Sequence, residues 1–150
     1  MEIALRPFKP ENVKKILELH EKHAECFEDF EITEQFILDI TQRRDFRIFV
    51  AELNEVVGFA GVLFQEGVGR AELGPIAIDP ECKENGIGTK LVYRVFDFLR
   101  EKKINRVIVK VKVDNKSGLE FFRNLEFVQE GYFKRYTHGG EDVLQLVRFL

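Results

Sequence analysis

Apolar residues recur with two periods along the first part of the chain. Alternation over residues 3–7 predicts a short first strand. Apolar residues three and four positions apart over residues 11–27 predict an amphipathic helix. A second helix is predicted over residues 33–44, with Thr33 as its N-cap. One strand and two helices therefore open the fold.

The next part of the chain is predicted to be mostly strand. Residues 46–53 and 56–64 are rich in β-branched and aromatic residues, which indicates an antiparallel hairpin. An apolar run over residues 73–78 predicts a buried strand, and Gly74 and Pro75 interrupt it. Three strands therefore follow the two helices.

The second half of the chain alternates between the two periods. After a loop that contains Gly86 and Gly88, helical spacing from Leu91 to Leu99 predicts a helix with Lys102 and Lys103 in its last turn. Strict alternation over residues 106–113 predicts a strand, joined to the buried strand before it by a right-handed parallel crossover. A short helix over residues 115–125 and a hairpin of residues 127–137 and 141–150 complete the order. The predicted class is mixed α/β, with seven strands and about four helices in the order β-α-α-β-β-β-α-β-α-β-β.

Composition limits the kinds of protein that this chain can be. With 150 residues, 45% of them apolar, the chain is expected to form one domain over residues 1–150. The net charge is −3, and no block of Lys and Arg or long apolar run is present. We therefore expect neither nucleic acid nor a membrane as a partner. Cys26 and Cys82 lie far apart and outside any metal-ligand spacing, which favours a reducing cytoplasm and no metal site.

Gly86 and Gly88 lie between the buried strand and the helix that follows it. Glycine lets a backbone approach a ligand closely, and the free N–H groups of a helix start favour an anion such as a diphosphate. Two glycines also suit an ordinary strand-turn-helix connection. The loop is not a G-x-G-x-x-G motif, because Leu91 stands at the third glycine, and it is not a P-loop, because Thr89 separates Gly88 from Lys90.

The hexapeptide at residues 83–88, K-E-N-G-I-G, resembles the [QR]-x-x-G-x-[GA] signature of the GNAT superfamily of N-acetyltransferases. Lys83 stands where the family has Gln or Arg, and Glu84 where it often has glycine. Lysine keeps the positive charge but lacks the planar fork of arginine. The predicted order of strands and helices is also the order of the GNAT fold.

Two further segments resemble members of this superfamily. The segment that begins at Asn115 resembles N-x-x-A-x-x-[LF]-Y-x-x-x-G-F, with Phe122 in place of the tyrosine and Glu126 in place of the glycine. Residues 134–146 are loosely similar to ribosomal-protein alanine N-acetyltransferases. The resemblance therefore extends over nearly the whole chain.

The resemblance implies acetyl-CoA as a co-substrate. In the family, two parallel strands part at a bulge and the pantetheine arm pairs with the freed edge, and Gly74 and Pro75 suit such a bulge. The buried strand would then meet the pantetheine, the glycine loop the diphosphate, and the segment after the next strand would complete the site. The implied cofactor-binding residues are Ile76, Ala77, Ile78, Lys83, Glu84, Asn85, Gly86, Ile87, Gly88, Thr89, Asn115 and Phe122.

Attack of an amine on a thioester requires removal of a proton, because an amine like that of lysine has a pKa of about 10.4. Glu72 is the candidate base, since it is acidic in an apolar strand and family members often have Glu there. An outward-facing Glu72 paired with Arg70 explains the same residue. Phe122 has no proton to give, so Tyr132 and Tyr136 are the candidate acids, although both also suit packed strand positions. A thiol with a pKa of about 8.5 also leaves as a thiolate unaided.

These features predict an acetyl-CoA-dependent N-acetyltransferase that acts on a primary amine by direct attack in a ternary complex. The alternative is a non-catalytic acyl-CoA-binding sensor or interaction module. The acceptor stays open between a protein N-terminus or lysine and a small amine that the acidic residues of positions 21–34 would attract. Those acidic residues also suit a solvated turn. His20 suits a packed position, and the apolar last strand ending at Leu150 allows a homodimer.

Overall fold

The computed structural model describes residues 2–24 and 32–150. Its helices and strands are β1 (Ala4–Pro7), α1 (Val13–Lys22), α2 (Glu34–Ile40), β2 (Phe46–Leu53), β3 (Glu55–Gln65), β4 (Arg70–Ile78), α3 (Ile87–Glu101), β5 (Arg106–Lys112), α4 (Lys116–Asn124), β6 (Val128–Phe133) and β7 (Val143–Phe149). The described residues thus form seven strands and four α-helices. This result confirms the predicted class and order.

All seven strands form one mixed sheet in the order β1-β2-β3-β4-β5-β7-β6. Strands β4 and β5 are parallel, and every other neighbouring pair is antiparallel. The β4-α3-β5 unit is therefore the predicted parallel crossover. The parallel pair lies at the middle of the sheet, which is where the candidate site forms.

The helices cover the two faces of the sheet separately. Helix α3 and the apolar side of α4 pack on one face, in the cluster that contains Leu91, Phe96 and Leu119. Helices α1 and α2 pack on the other face, where Ile16 and Ile37 meet residues of β2 and β3. Each helix buries one apolar stripe against the sheet, as its spacing predicts. Among the described residues, no helix is long and apolar enough to span a bilayer.

Several boundaries differ from the predicted ones, and the differences are largest at the ends of α1, α2 and β6. Helix α1 ends at Lys22, and positions 25–27 of the predicted helix lie outside the described residues. Helix α2 ends at Ile40 because the hydroxyl of Thr41 donates to the carbonyl oxygen of Ile37 at 2.8 Å and caps the helix end. Strand β6 stops at Phe133, and the predicted strand residues 134–137 belong to the turn that follows.

Candidate active site

Strands β4 and β5 are paired over only three positions, and the last pair joins Glu72 to Ile108. Both strands continue beyond this pair, to Ile78 and Lys112. Since no further β4–β5 pair follows, the sheet is split between its two parallel strands. This is the parting that the sequence resemblance implied.

A bulge in β4 accompanies the split. Val62 pairs with Leu73 and Ala60 pairs with Ile76, so Gly61 alone lies across from the two residues Gly74 and Pro75. An extra residue bends the bulged strand and interrupts its ladder, and a proline nitrogen cannot donate a ladder hydrogen bond. The bulge therefore begins where the pairing with β5 ends.

Beyond the bulge, alternate backbone groups of β4 face the split. The amide of Asp79 donates to the carbonyl oxygen of Val57 on β3 at 2.7 Å, which makes Ile78 part of a non-hydrogen-bonded pair of that ladder. The N–H and C=O groups of Ile78 therefore point away from β3, and those of Ile76 do so by alternation. The backbone of Ala77 points towards β3. The backbone of Ile76 and the N–H group of Ile78 thus offer an open edge on the side of β5, whereas the carbonyl oxygen of Ile78 accepts from the ring of His23.

A cavity of about 840 Å³ occupies the split and extends onto both faces of the sheet. Most of the predicted site residues line it. They are Glu72, Ile76, Ala77, Ile78, Lys83, Gly86, Gly88, Thr89, Asn115, Phe122 and Tyr136. In the same loop, Asn85 is exposed, Ile87 is buried under α3, and the side chain of Glu84 lies outside the described part of the structure. The cavity therefore brings together residues that are far apart in the sequence.

The start of α3 forms one end of the cavity. Gly86 has φ +70°, a left-handed conformation that glycine adopts without strain, and it turns the chain from the loop into the helix. The hydrogen bond from the amide of Lys90 to the carbonyl oxygen of the N-cap residue Gly86 closes the first turn of the helix. The amides of Ile87, Gly88 and Thr89 precede this bond, in the part of a helix where N–H groups lack intrahelical acceptors. This end of the cavity suits an anionic group.

Asn115 lies on the opposite wall, at the start of α4. Its side-chain oxygen accepts a hydrogen bond from the amide of Gly118 at 3.0 Å and caps the helix. Because the cap engages the side-chain oxygen, the side-chain nitrogen is the group of Asn115 that remains for a bound molecule, to which it would donate a hydrogen bond. Asn115 thus has a structural role whether or not a ligand is bound.

The candidate base Glu72 is joined to a residue that the sequence analysis did not select. The ammonium of Lys110, on β5, lies 3.4 Å from a carboxylate oxygen of Glu72. The predicted alternative partner, Arg70, instead donates to the side chain of Gln65 at 3.2 Å. Lys110 also lies over the ring of Tyr136, with 5.3 Å between its ammonium and the ring centroid. One lysine therefore contacts both Glu72 and Tyr136.

The charge of Lys110 is held firmly at neutral pH. Burial acts to lower the pKa of Lys110, but the hydrogen bond with Tyr136 and the negative charge of Glu72 outweigh it and raise this pKa above its ordinary value. A lysine whose pKa rises stays protonated at neutral pH. Glu72 consequently faces a permanent positive charge across the split.

The two candidate tyrosines have different surroundings. Tyr136 lines the cavity and is 43% exposed, so it is not a packed strand residue. Tyr132 is 48% exposed, does not line the cavity, and donates its hydroxyl hydrogen bond to Asp142. That hydrogen bond raises the pKa of Tyr132. Of the two tyrosines, only Tyr136 reaches the split.

Phe122, at the position where the family has tyrosine, packs its ring edge-on against Phe121 and Phe127, with centroids 5.0 and 5.4 Å apart. The ring also lines the cavity. Phe122 therefore contributes an apolar wall and no proton donor. The side chains of α4 hold this wall in place.

Two histidines border the cavity on the side of α1. His20 is buried, as predicted for a packed residue, and burial lowers its pKa. His23 is also buried, and its Nε2 lies 2.7 Å from the carbonyl oxygen of Ile78. A carbonyl oxygen only accepts, so Nε2 of His23 carries the proton. His23 thus ties α1 to the open edge of β4.

The face of the cavity beneath α1 and α2 is mainly apolar. It is lined by Ile16, Ile32, Phe36, Ile37, Ile40, Phe46, Ile48, Phe59 and Leu63. The predicted acidic cluster cannot be placed beside it, because positions 25, 28, 29 and 31 lie outside the described residues. Within residues 2–24 and 32–150, no three His, Cys, Asp or Glu side chains form a group that could hold a metal ion.

Sequence reasoning missed Lys110, His23 and Gly61. The alternation of β5 carried a signal for Lys110, because Val107, Val109 and Val111 are buried on the α3 face and the residues between them must face the other way. His23 and Gly61 had no such signal, since their roles depend on Ile78 and on the bulge in β4. Both contacts are formed only in the folded chain.

Comparisons with known proteins agree with this geometry. A family model described as the acetyltransferase (GNAT) family matches residues 16–127, which is more than half of the chain. Human N-alpha-acetyltransferase 30 is 33% identical over 81 residues, which are 54% of this chain and 22% of that protein. The chain therefore spans less than a quarter of the length of this relative.

Solved structures with different activities share the fold. The ribosomal-protein-alanine N-acetyltransferase from Brucella melitensis superposes with a TM-score of 0.84 at 20% identity, over 98% of this chain and 99% of that one. A spermidine N-acetyltransferase from Vibrio cholerae superposes with a TM-score of 0.83 at 18% identity, over 97% and 94%. At such identities these structures show the fold alone. The family match and the shared fold establish that the chain belongs to the acetyltransferase (GNAT) family.

Proposed function

We propose that this protein is an acetyl-CoA-dependent N-acetyltransferase that acts on a primary amine by direct transfer in a ternary complex. The observation that carries the proposal is the split between the parallel strands β4 and β5, which leads to the start of α3. Family membership and a human relative named as an N-alpha-acetyltransferase support the same activity. The acceptor is either a protein N-terminus or lysine, or a small amine.

The described residues fit acetyl-CoA. The open backbone groups of Ile76 and the N–H group of Ile78 suit the amide groups of a pantetheine arm, which would pair with them as an added strand, while His23 occupies the carbonyl oxygen of Ile78. The amides at the start of α3, with Gly86 and Gly88, suit the diphosphate, and the exposed Lys83 adds a positive charge. The side-chain nitrogen of Asn115 would donate from the wall of α4. When bound, acetyl-CoA supplies the thioester that the amine attacks.

Glu72 is placed to remove a proton from the acceptor amine. It lies at the last β4–β5 pair, lines the cavity, and retains contact with solvent, so a water can link it to an amine. The hydroxyl of Tyr136 is the proposed proton donor, because Tyr136 lines the cavity and Tyr132 does not. The thiol leaves as a thiolate with little help, so positioning of the amine accounts for most of the catalysis.

The second candidate function is a non-catalytic acyl-CoA-binding module. Phe122 favours this alternative, because it gives the cavity an apolar ring where the family has a hydroxyl group. The two candidates share the binding of coenzyme A and differ in turnover. In either case we propose one domain over residues 1–150 and a cytoplasmic location. A homodimer would have to use another surface than the edge of β7, because β5 and β6 pair with that strand on both sides.

Two measurements test these functions in order. Coenzyme A should raise the melting temperature of the protein in a concentration-dependent manner, as mass action requires. Release of thiol from acetyl-CoA should then depend on an added amine, from a panel of peptides, polyamines and amino acids. Stabilisation without amine-dependent thiol release supports the module, and the absence of stabilisation rules out both functions.

A further inference from the structure

The charged side chains that line the cavity are unevenly divided. Among the described lining residues, Glu72 is acidic, whereas Arg43, Lys83, Lys110 and Lys112 are basic. Lys83 lies at the end assigned to the diphosphate. Arg43 is paired with Asp45 at 2.8 Å and Lys112 with Glu141 at 3.0 Å, so Lys110 is the basic lining residue whose ion-pair partner, Glu72, also lines the cavity. The carboxylate of Glu72 is thus the negative charge that an acceptor amine would meet in this part of the structure.

Lys110 neutralises this carboxylate. Its ammonium lies 3.4 Å from Glu72, and the side chains of Lys110 and Glu72 are 28% and 40% exposed. Both side chains keep contact with water, so the pair is only partly shielded and interacts more weakly than a buried pair would. The raised pKa of Lys110, due to Tyr136 and Glu72 acting against burial, keeps Lys110 protonated at neutral pH.

The fold fixes Lys110 in this position. Its backbone pairs with Gln145 on β7, so β5 stays straight where β4 bends away. Lys110 follows the last β4–β5 pair by two residues, and its side chain crosses the split back to Glu72. The ring of Tyr136 covers the ammonium from the other side. The pair is therefore part of the floor of the cavity.

We infer that Lys110 is a specificity-determining residue, which cancels the charge of Glu72 and makes the acceptor site select amines with one positive charge over diamines and polyamines. This inference rests on the proposed function for the place of the acceptor. A second ammonium on the acceptor would meet Lys110 and find no further carboxylate among the described lining residues, while the charges of Arg43 and Lys112 are already balanced by Asp45 and Glu141. Like charges at short range disfavour such a ligand.

Butylamine and 1,4-diaminobutane test the inference, because they differ by one ammonium group. We would measure kcat/KM for both amines with the wild type, Lys110→Met and Lys110→Arg. Lys110→Gln repeats the test in case the methionine side chain disturbs the packing around Tyr136. The matched control is Lys102→Met, which removes an ion pair of the same 3.4 Å length, with Glu66, outside the cavity. Dissociation constants for both amines, from NMR titration with coenzyme A present, provide a readout that needs no turnover.

The ratio of the diamine value to the butylamine value should rise about tenfold in Lys110→Met and Lys110→Gln, because Glu72 then attracts the second ammonium. It should stay near the wild-type ratio in Lys110→Arg, which keeps the charge, and in Lys102→Met. An unchanged or lower ratio in both neutral variants, or an equal rise in Lys102→Met, would overturn the inference. If no amine releases thiol from the wild type, the proposed function fails, and the ratio of dissociation constants still decides the role of Lys110.

Discussion

A Cβ atom on Gly61 would lie 3.0 Å from the carbonyl oxygen of Gly74, across the bulge that opens the sheet. The same atom would lie 2.9 Å from the ring of Phe46 and 3.2 Å from Cδ of Pro75. Neither the backbone oxygen nor the proline ring can move without moving β4. The split between β4 and β5 therefore depends on the missing side chain of a residue on the neighbouring strand.

Gly61→Ala should destabilise the protein and weaken its binding of coenzyme A. Overpacking of this kind costs about 1–3 kcal/mol, and the displaced β4 carries the proposed pantetheine edge. Urea unfolding measures the first effect and calorimetric titration of coenzyme A the second. Gly67→Ala is the matched control, because a Cβ at Gly67 meets nothing within 4 Å. Wild-type stability and affinity in Gly61→Ala would show that β4 adapts to the extra methyl group.

Glu72→Gln should lower kcat by about a hundredfold and leave the affinity for coenzyme A near that of the wild type. The amide cannot accept the proton of the acceptor amine, and general-base catalysis typically contributes on this scale. Steady-state thiol release measures the first quantity and titration the second. Glu66→Gln, which alters an ion pair outside the cavity, serves as the control. A Glu72→Gln enzyme with more than half of the wild-type kcat would exclude Glu72 as the base.

Tyr136→Phe should lower kcat about tenfold, while Tyr132→Phe should leave it unchanged. Tyr136 lines the cavity beside Lys110, whereas the hydroxyl of Tyr132 is engaged by Asp142 away from it. Loss of a positioned proton donor slows the step in which the leaving group departs. Each variant removes one phenolic hydroxyl group, so the difference between their rates shows how much the location of the hydroxyl in the cavity contributes to kcat. Equal values of kcat for the two variants would show that Tyr136 does not donate a proton to the leaving thiolate.

His20→Gln should reduce the loss of stability that accompanies acidification. Burial lowers the pKa of His20, so the unfolded chain binds a proton at a higher pH than the folded chain does. The free energy of unfolding therefore decreases as the pH falls below about 6.5, the unperturbed value, towards the folded pKa of His20. Urea unfolding between about pH 7 and pH 5 should show a shallower decrease for His20→Gln than for the wild type.

The exposed His138 provides the control for this experiment. His138→Gln should retain the wild-type dependence on pH, because the side chain of His138 is exposed to solvent in the folded chain, whereas that of His20 is buried. If His20→Gln and His138→Gln show the same dependence as the wild type, His20 does not contribute to acid sensitivity.

Much of the candidate site followed from local sequence. The apolar run of β4, its interruption at Gly74 and Pro75, and the glycines before α3 predicted a strand, a bulge and a helix start, and the structure has all three in place. These features are local because proline, glycine and apolar period act on the backbone within a few residues. The element order followed for the same reason.

Pairings between distant residues did not follow from the sequence. The sequence indicated Arg70, two positions away, as the ion-pair partner of Glu72. In the folded protein the partner is Lys110, which lies 38 positions away on β5. Likewise, the two tyrosines were equivalent until the β6–β7 turn placed Tyr136 at the split and left Tyr132 with Asp142. Neighbours along the chain could not distinguish these outcomes.

The sequence by itself determined the order of strands and helices, the place of the interruption in β4, and the family that these features resemble, because each depends on periodicity and on residues a few positions apart. Only the tertiary structure decided which charges meet in the cavity, which tyrosine reaches it, and why Gly61 bears no side chain. Those outcomes depend on the register between strands and on the turn that ends β6, which bring side chains together across the sheet through contacts that no local pattern encodes.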